Sequence, residues 1–144
     1  MKQQPGSKTV TLEDILITEA LSHRSSRAPE LQKENQAMRM LIQQMAQNSE
    51  TLLQTLVNAA LELCEAGTAG VSLLETTIDG EEVFRWNVLV GTLAHAIGSS
   101  TSRNFSPCGV CLDRGAPVLF SHPEFYFTDF QAVNTPIVEG LVLP

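Results

Sequence analysis

Between Glu30 and Ala66 the chain contains neither glycine nor proline, and it is rich in Leu, Met, Gln, Ala and Glu. These are good helix formers. Apolar side chains recur at Met38, Leu41, Ile42, Met45, Leu52, Leu53, Leu56, Val57, Ala60, Leu61 and Cys64. That recurrence is the stripe of an amphipathic helix. The spacing predicts one long helix over residues 30–66, with Gly67 as its C-cap. About 36 residues at 1.5 Å each would span about 54 Å. A globule of 144 residues is narrower than that. Part of the helix should therefore project or pair with a partner helix. A homodimer through helix 30–66 is the expectation, although Asn48, Ser49 and Thr55 interrupt the heptad seam.

The rest of the chain sets limits on function. Nine basic residues against sixteen acidic give a net charge of -7, a poor basis for binding nucleic acid phosphates. No apolar run is long enough to cross a membrane. Residues 1–30 lack the apolar centre of a signal peptide. Three cysteines suit a reducing compartment better than a disulfide scaffold. A cytoplasmic protein without nucleic acid or membrane partners is expected.

Residues 1–29 read as a flexible leader with a short helix. Thr11 and Asp14 form a Thr-x-x-Asp start resembling a capping box, and Ile15, Leu16, Glu19 and Ala20 support a helix to about Leu21. Ser22 to Pro29 reads as a loop in which Arg24 and Arg27 are solvated. After Gly67 the pattern changes to that of a sheet. Ala69–Leu74 reads as a strand buried on both faces. Asp79-Gly80 signals a hairpin. In the returning strand Phe84, Trp86 and Val88 alternate with Val83, Arg85 and Asn87, and Phe84 and Trp86 are expected to face the core. Gly91–Gly98 encloses a turn or two of helix, and Gly98–Phe105 reads as loop. Ser106-Pro107 starts a helix to Asp113, closed at Gly115. Val118–Phe120 and Ile137–Leu143 read as two further strands. All eight aromatic residues lie between Phe84 and Phe130, with Phe125, Tyr126, Phe127 and Phe130 expected to cluster. The fold class is α+β.

The most pointed chemical feature is Cys108-Gly109-Val110-Cys111. Near a helix N-terminus the macrodipole favours thiolate, so Cys108 is a redox candidate with Cys111. A thioredoxin-like site wants a βαβ setting before the motif, and here a loop precedes it. Zinc would need Cys108, Cys111 and His122, with distant Cys64 or His95 as a fourth ligand. No second CxxC and no HxxxH is present, so no metal is expected. A Cys108, His122 and Asp113 triad can be named, but spacing does not fix its geometry. Neither GxxxxGK nor GxGxxG occurs.

Three stretches resemble a known family. Leu61 through Leu73 with its flanks, LELCEAGTAGVSLLE, looks like the first helix-to-strand passage of GAF domains, and Phe84-Arg85-Trp86 continues it. Arg103-Asn104-Phe105-Ser106-Pro107-Cys108-Gly109-Val110-Cys111-Leu112-Asp113 resembles the PR-x-F-SPCG-x-x-LD stretch of GAF sensor domains attached to bacterial two-component histidine kinases. The likeness continues through Leu119-Phe120, His122-Pro123-Glu124, Phe127 and Ile137–Pro144. Even the leader, from Ser22 to Pro29 followed by Glu34-Asn35-Gln36-Ala37-Met38, resembles that group.

The resemblance implies an antiparallel sheet with helices packed on one side and a ligand pocket on the other. It implies a sensory or regulatory module, not an enzyme, that binds a small molecule and signals to a histidine kinase or other output domain. No cofactor is expected. Aromatic clustering picks out Trp86, Phe105, Cys108, Phe120 and Tyr126 as pocket walls. The family continues past Ile137–Leu143 with further strands and a closing helix, so the domain over 30–144 is expected to be C-terminally truncated. An unpaired gap is expected between Val71–Leu74 and Ile137–Leu143. The alternative function is a thiol redox sensor or thiol-dependent activity at Cys108 and Cys111.

Overall fold

The computed structural model describes residues 9–48, 51–132 and 134–144. Helices and antiparallel sheets share the chain, in the order α1 (Leu12–Ile15), α2 (Ala20–His23), α3 (Leu31–Gln47), α4 (Leu52–Leu63), β1 (Thr68–Thr76), β2 (Glu82–Gly91), β3 (Ser100–Ser102), α5 (Pro107–Arg114), β4 (Val118–Ser121) and β5 (Glu139–Val142). Strands β1-β2-β3 form one sheet and β4-β5 a second.

The expected single helix over 30–66 is two helices. Asn48, one of the three residues that interrupt the heptads, takes an extended conformation (φ -158°, ψ 101°) and ends α3. Ser49 lies outside the described residues. The chain turns back, and α4 packs on α3. Thr51 at the start of α4 donates a hydrogen bond to Gln44 near the end of α3. At the other end Lys33 faces Glu62 and Glu65. The antiparallel pair halves the span foreseen for one rod. Helix propensity alone did not reveal the break, because Asn and Thr cost an isolated helix only tenths of a kcal/mol, roughly. Burying Val57 of α4 (2% exposed) is a larger gain.

Helix α4 lies against both β1 and β2. The hairpin joining these strands turns at Gly80 in the left-handed region (φ +84°), as Asp79-Gly80 foretold. Register slips between Val71 and Ser72, which pair with Val88 and Trp86 and leave Asn87 unpaired. This bulge breaks the foreseen alternation. Phe84 is buried as expected and Trp86 is half-buried, but beyond the bulge Leu89 is buried in place of Val88. Asn87 compensates by accepting the Leu73 amide on its Oδ1 at 3.2 Å. Strand β1 is not buried on both faces: Leu73 and Leu74 are exposed. Among the described residues it forms the sheet edge, and because neighbouring Leu73 and Leu74 point to opposite faces, both faces are partly exposed there. Within the stretch expected to be loop, Ser100–Ser102 pairs with β2.

Nor is the leader loose over its described part. The Thr11–Asp14 capping box forms, but the helix ends after Ile15, and a second turn starts at Ala20. Between them Leu16 bridges to Phe120, the Ile17 amide donates to the Leu119 carbonyl at 2.9 Å, and the Leu119 amide donates to Thr18 Oγ1 at 3.1 Å. The leader thus takes one edge of β4, and β5 takes the other. Ile15 joins Cys111, Val118, Phe120 and Phe127 in a buried core. Arg24 and Arg27 are exposed, as foreseen, but each also makes specific contacts. Arg24 grips both carboxylate oxygens of Glu139 at 2.9 and 2.6 Å, and Arg27 binds the Leu63 carbonyl and Glu65. Strands β1 and β5 lie in separate sheets, and among the described residues each has a strand neighbour on one side only.

Candidate functional site

The sequence singled out residues 103–114, and they fold as one tightly held unit. Ser106 is extended and almost wholly buried, and its Oγ accepts the Gly109 amide at 3.1 Å. Pro107 follows at a position where a helix needs no amide hydrogen. Gly115 closes α5 in the left-handed region (φ +60°), its amide donating to the Cys111 and Leu112 carbonyls. Gly109 is required by space: a Cβ there would lie 2.1 Å from the Arg103 carbonyl oxygen. Arg103 in turn donates to Asp113 Oδ1 at 2.6 Å and places its guanidinium 5.9 Å from the Phe84 ring centre. One arginine therefore ties the start and end of this segment together and joins it to β2.

The two cysteines have different partners. Cys108 Sγ lies 3.4 Å from Ser72 Oγ on β1. Cys111 is 1% exposed, with Sγ 3.4 Å from the Ala116 carbonyl and 3.3 Å from that of Val142 on β5. Burial pushes both thiols above the ordinary cysteine value, and the Ser72 contact only partly opposes this at Cys108. Near the N-terminus of α5 the dipole favours thiolate, but desolvation outweighs it. Cys64 is exposed.

The five foreseen pocket walls divide into two groups. Phe105, Phe120 and Tyr126 converge on Phe127, which was not among them, with ring centres 5.3, 5.9 and 5.0 Å from it. Phe105 also meets Tyr126 at 5.3 Å. Phe120 and Phe127 are 1% exposed and belong to the packed core. Cys108 instead contacts Ser72, which is the register partner of Trp86. Phe125 leaves the aromatic cluster: it is exposed and stacks on His122 at 5.2 Å.

His122 carries a further feature that sequence reasoning passed over. Its backbone is left-handed (φ +47°), which is rare for a residue other than glycine. Its Nδ1 lies 3.1 Å from Glu124 Oε1, and Glu124 Oε2 is buried without a hydrogen-bond partner among the described residues. The His-Pro-Glu string was the only available signal, and it does not specify that geometry. Among the described residues no group of three or more His, Cys, Asp or Glu is placed to hold a metal ion, and no helix is long and apolar enough to cross a membrane.

No protein-family model matches the chain, and neither a curated protein nor a solved structure matches it.

Proposed function

We propose that the chain is a sensory or regulatory module of the GAF type, which binds a small molecule or relays a signal within a two-component histidine kinase system and is not itself catalytic. The observation that carries this reading is the Arg103–Asp113 segment. Its resemblance to the GAF stretch is the most specific in the sequence. The residues that carry the resemblance, Arg103, Ser106, Gly109 and Asp113, are the ones that cap and brace α5, and Arg103 also meets Phe84 of β2. The mixed helix and antiparallel sheet architecture supports the same reading. The ligand site would lie around Ser72, which Cys108 contacts and which pairs in register with Trp86.

The test is a melt followed by circular dichroism, which can still be read in a variant lacking Trp86, the single tryptophan, against cyclic nucleotides, haem and linear tetrapyrroles. A ligand at a hundred times its dissociation constant adds about 2.7 kcal/mol of stability. A rise in Tm with one of these, removed by Trp86→Ala, is the expected result. If none of the three classes raises Tm, the small-molecule reading falls. The alternative, a thiol redox role at Cys108 and Cys111, is disfavoured by the burial that raises both thiols.

A further inference from the structure

Helix α3 has two apolar faces, and α4 covers only one. Ala37, Leu41 and Gln44 are half-buried on the side toward α4. On the far side Leu31, Met38, Ile42 and Met45 are between 59% and 67% exposed. At 100° per residue the two faces lie about 110° apart. Scattered exposed apolar residues are ordinary. These are not scattered, because with exposed Asn35 they follow the spacing 31, 35, 38, 42, 45. Steps of four, three, four and three are a heptad seam, with Leu31, Met38 and Met45 at d and Asn35 and Ile42 at a.

We propose that this seam binds a second copy of the chain, α3 against α3, as a parallel, in-register two-stranded coiled coil. Three features select that occupant and that direction. Asn35 at an a position meets its own copy across a parallel axis, where the two amides hydrogen-bond. In an antiparallel pair it would face an apolar d residue and lose its partner. Glu34 falls at g and Arg39 at the following e. In the parallel arrangement each exposed Glu34 faces the partner's Arg39, and the symmetry forms that pair twice. The other flanking residues, Gln32, Leu41 and Ala46, set no like charges opposite each other. The β-branched Ile42 at a favours two strands over three. The dimer foreseen for one rod over 30–66 is thereby confined to α3, since α4 turns back along its other side. This assembly does not rest on the ligand-binding reading.

Sedimentation of the full chain from micromolar to hundreds of micromolar concentration tests it. The expected result is a reversible monomer–dimer equilibrium. Met38→Glu and Ile42→Glu should each leave a monomer. Both side chains are exposed in the single chain, so the Trp86-monitored melt at low concentration should stay unchanged. Glu34→Arg and Arg39→Glu should each weaken the dimer about tenfold, or about 1.4 kcal/mol, and the double reversal should restore it. In a Cys64→Ser background, Leu31→Cys should cross-link to its own copy under mild oxidation, because antiparallel helices would hold the two positions about 21 Å apart. A wild-type monomer throughout, or a dimer indifferent to Ile42→Glu, would overturn the proposal. Failure of the Leu31→Cys cross-link in a dimer that Ile42→Glu disrupts would overturn its direction.

Discussion

Replacing Ser106 with alanine removes one oxygen atom, and the structure sets what that costs. The hydroxyl is 1% exposed and accepts the amide of Gly109 at 3.1 Å. Water cannot readily replace it, because Gly109 is itself buried against Arg103. Loss of an N-cap costs about 1 kcal/mol at exposed helix ends and up to about 2 in folded proteins. An amide left buried without an acceptor costs about 1–3 kcal/mol. These describe the same lost bond and are not summed, so about 2 kcal/mol is expected. For a chain of this length 1 kcal/mol moves Tm by about 2–4 °C, so Ser106→Ala should melt about 6 °C lower. Ser106→Thr keeps an oxygen able to cap and should recover most of the loss, provided its extra methyl is accommodated. The assay is thermal unfolding followed by Trp86 fluorescence, checked by circular dichroism. A fall of less than about 1 °C for Ser106→Ala, well under the cost of any buried cap, would refute the view that this hydroxyl holds α5 in place.

Four further outcomes follow from the same structure. Cys64 should react with iodoacetamide at neutral pH well before Cys108 and Cys111, as counted by mass spectrometry of the native chain; faster labelling at Cys108 would instead support a thiol-dependent role. Because burial raises the folded pKa of Cys108, its contribution is whole below the unfolded value of about 8.5 and is lost as pH rises above it, so Tm should fall in alkali less steeply in Cys108→Ala than in wild type. Glu139 is held below the ordinary carboxylate range by the hydrogen bond and charge of Arg24. Its contribution is therefore present above the unfolded value of about 4.3 and lost as pH falls through the lower folded value; Glu139→Gln should flatten the acid limb of a Tm-against-pH curve, and an unchanged limb would show that the pair is not formed in solution. Phe127→Ala, which empties the centre of the aromatic cluster, should cost about 3–5 kcal/mol by chemical denaturation.

What the sequence by itself determined is what nearest neighbours along the chain decide. Ser106-Pro107 and Gly115 bounded α5 because a capping oxygen, a residue without an amide hydrogen and a left-handed closing residue act over a single turn. Asp79-Gly80 placed the β1–β2 hairpin for the same reason. The mixed class followed from the change of apolar period at Gly67. Tertiary structure decided the rest. The fold-back after Asn48 depends on α4 finding β1 and β2, which costs little locally and gains buried area elsewhere. The bulge at Asn87 exchanged Val88 for Leu89 in the core, an outcome of pairing with β1 that alternation along β2 does not encode. Leader residues Leu16–Thr18 read as the middle of a short helix to about Leu21, but β4, about a hundred residues later, offers them an edge and the helix stops at Ile15. The candidate site divides in the same way. Composition located the aromatic residues and the cysteine pair, but only packing sent Phe105, Phe120 and Tyr126 to Phe127, sent Cys108 to Ser72, and buried both thiols so that desolvation outweighs the helix dipole.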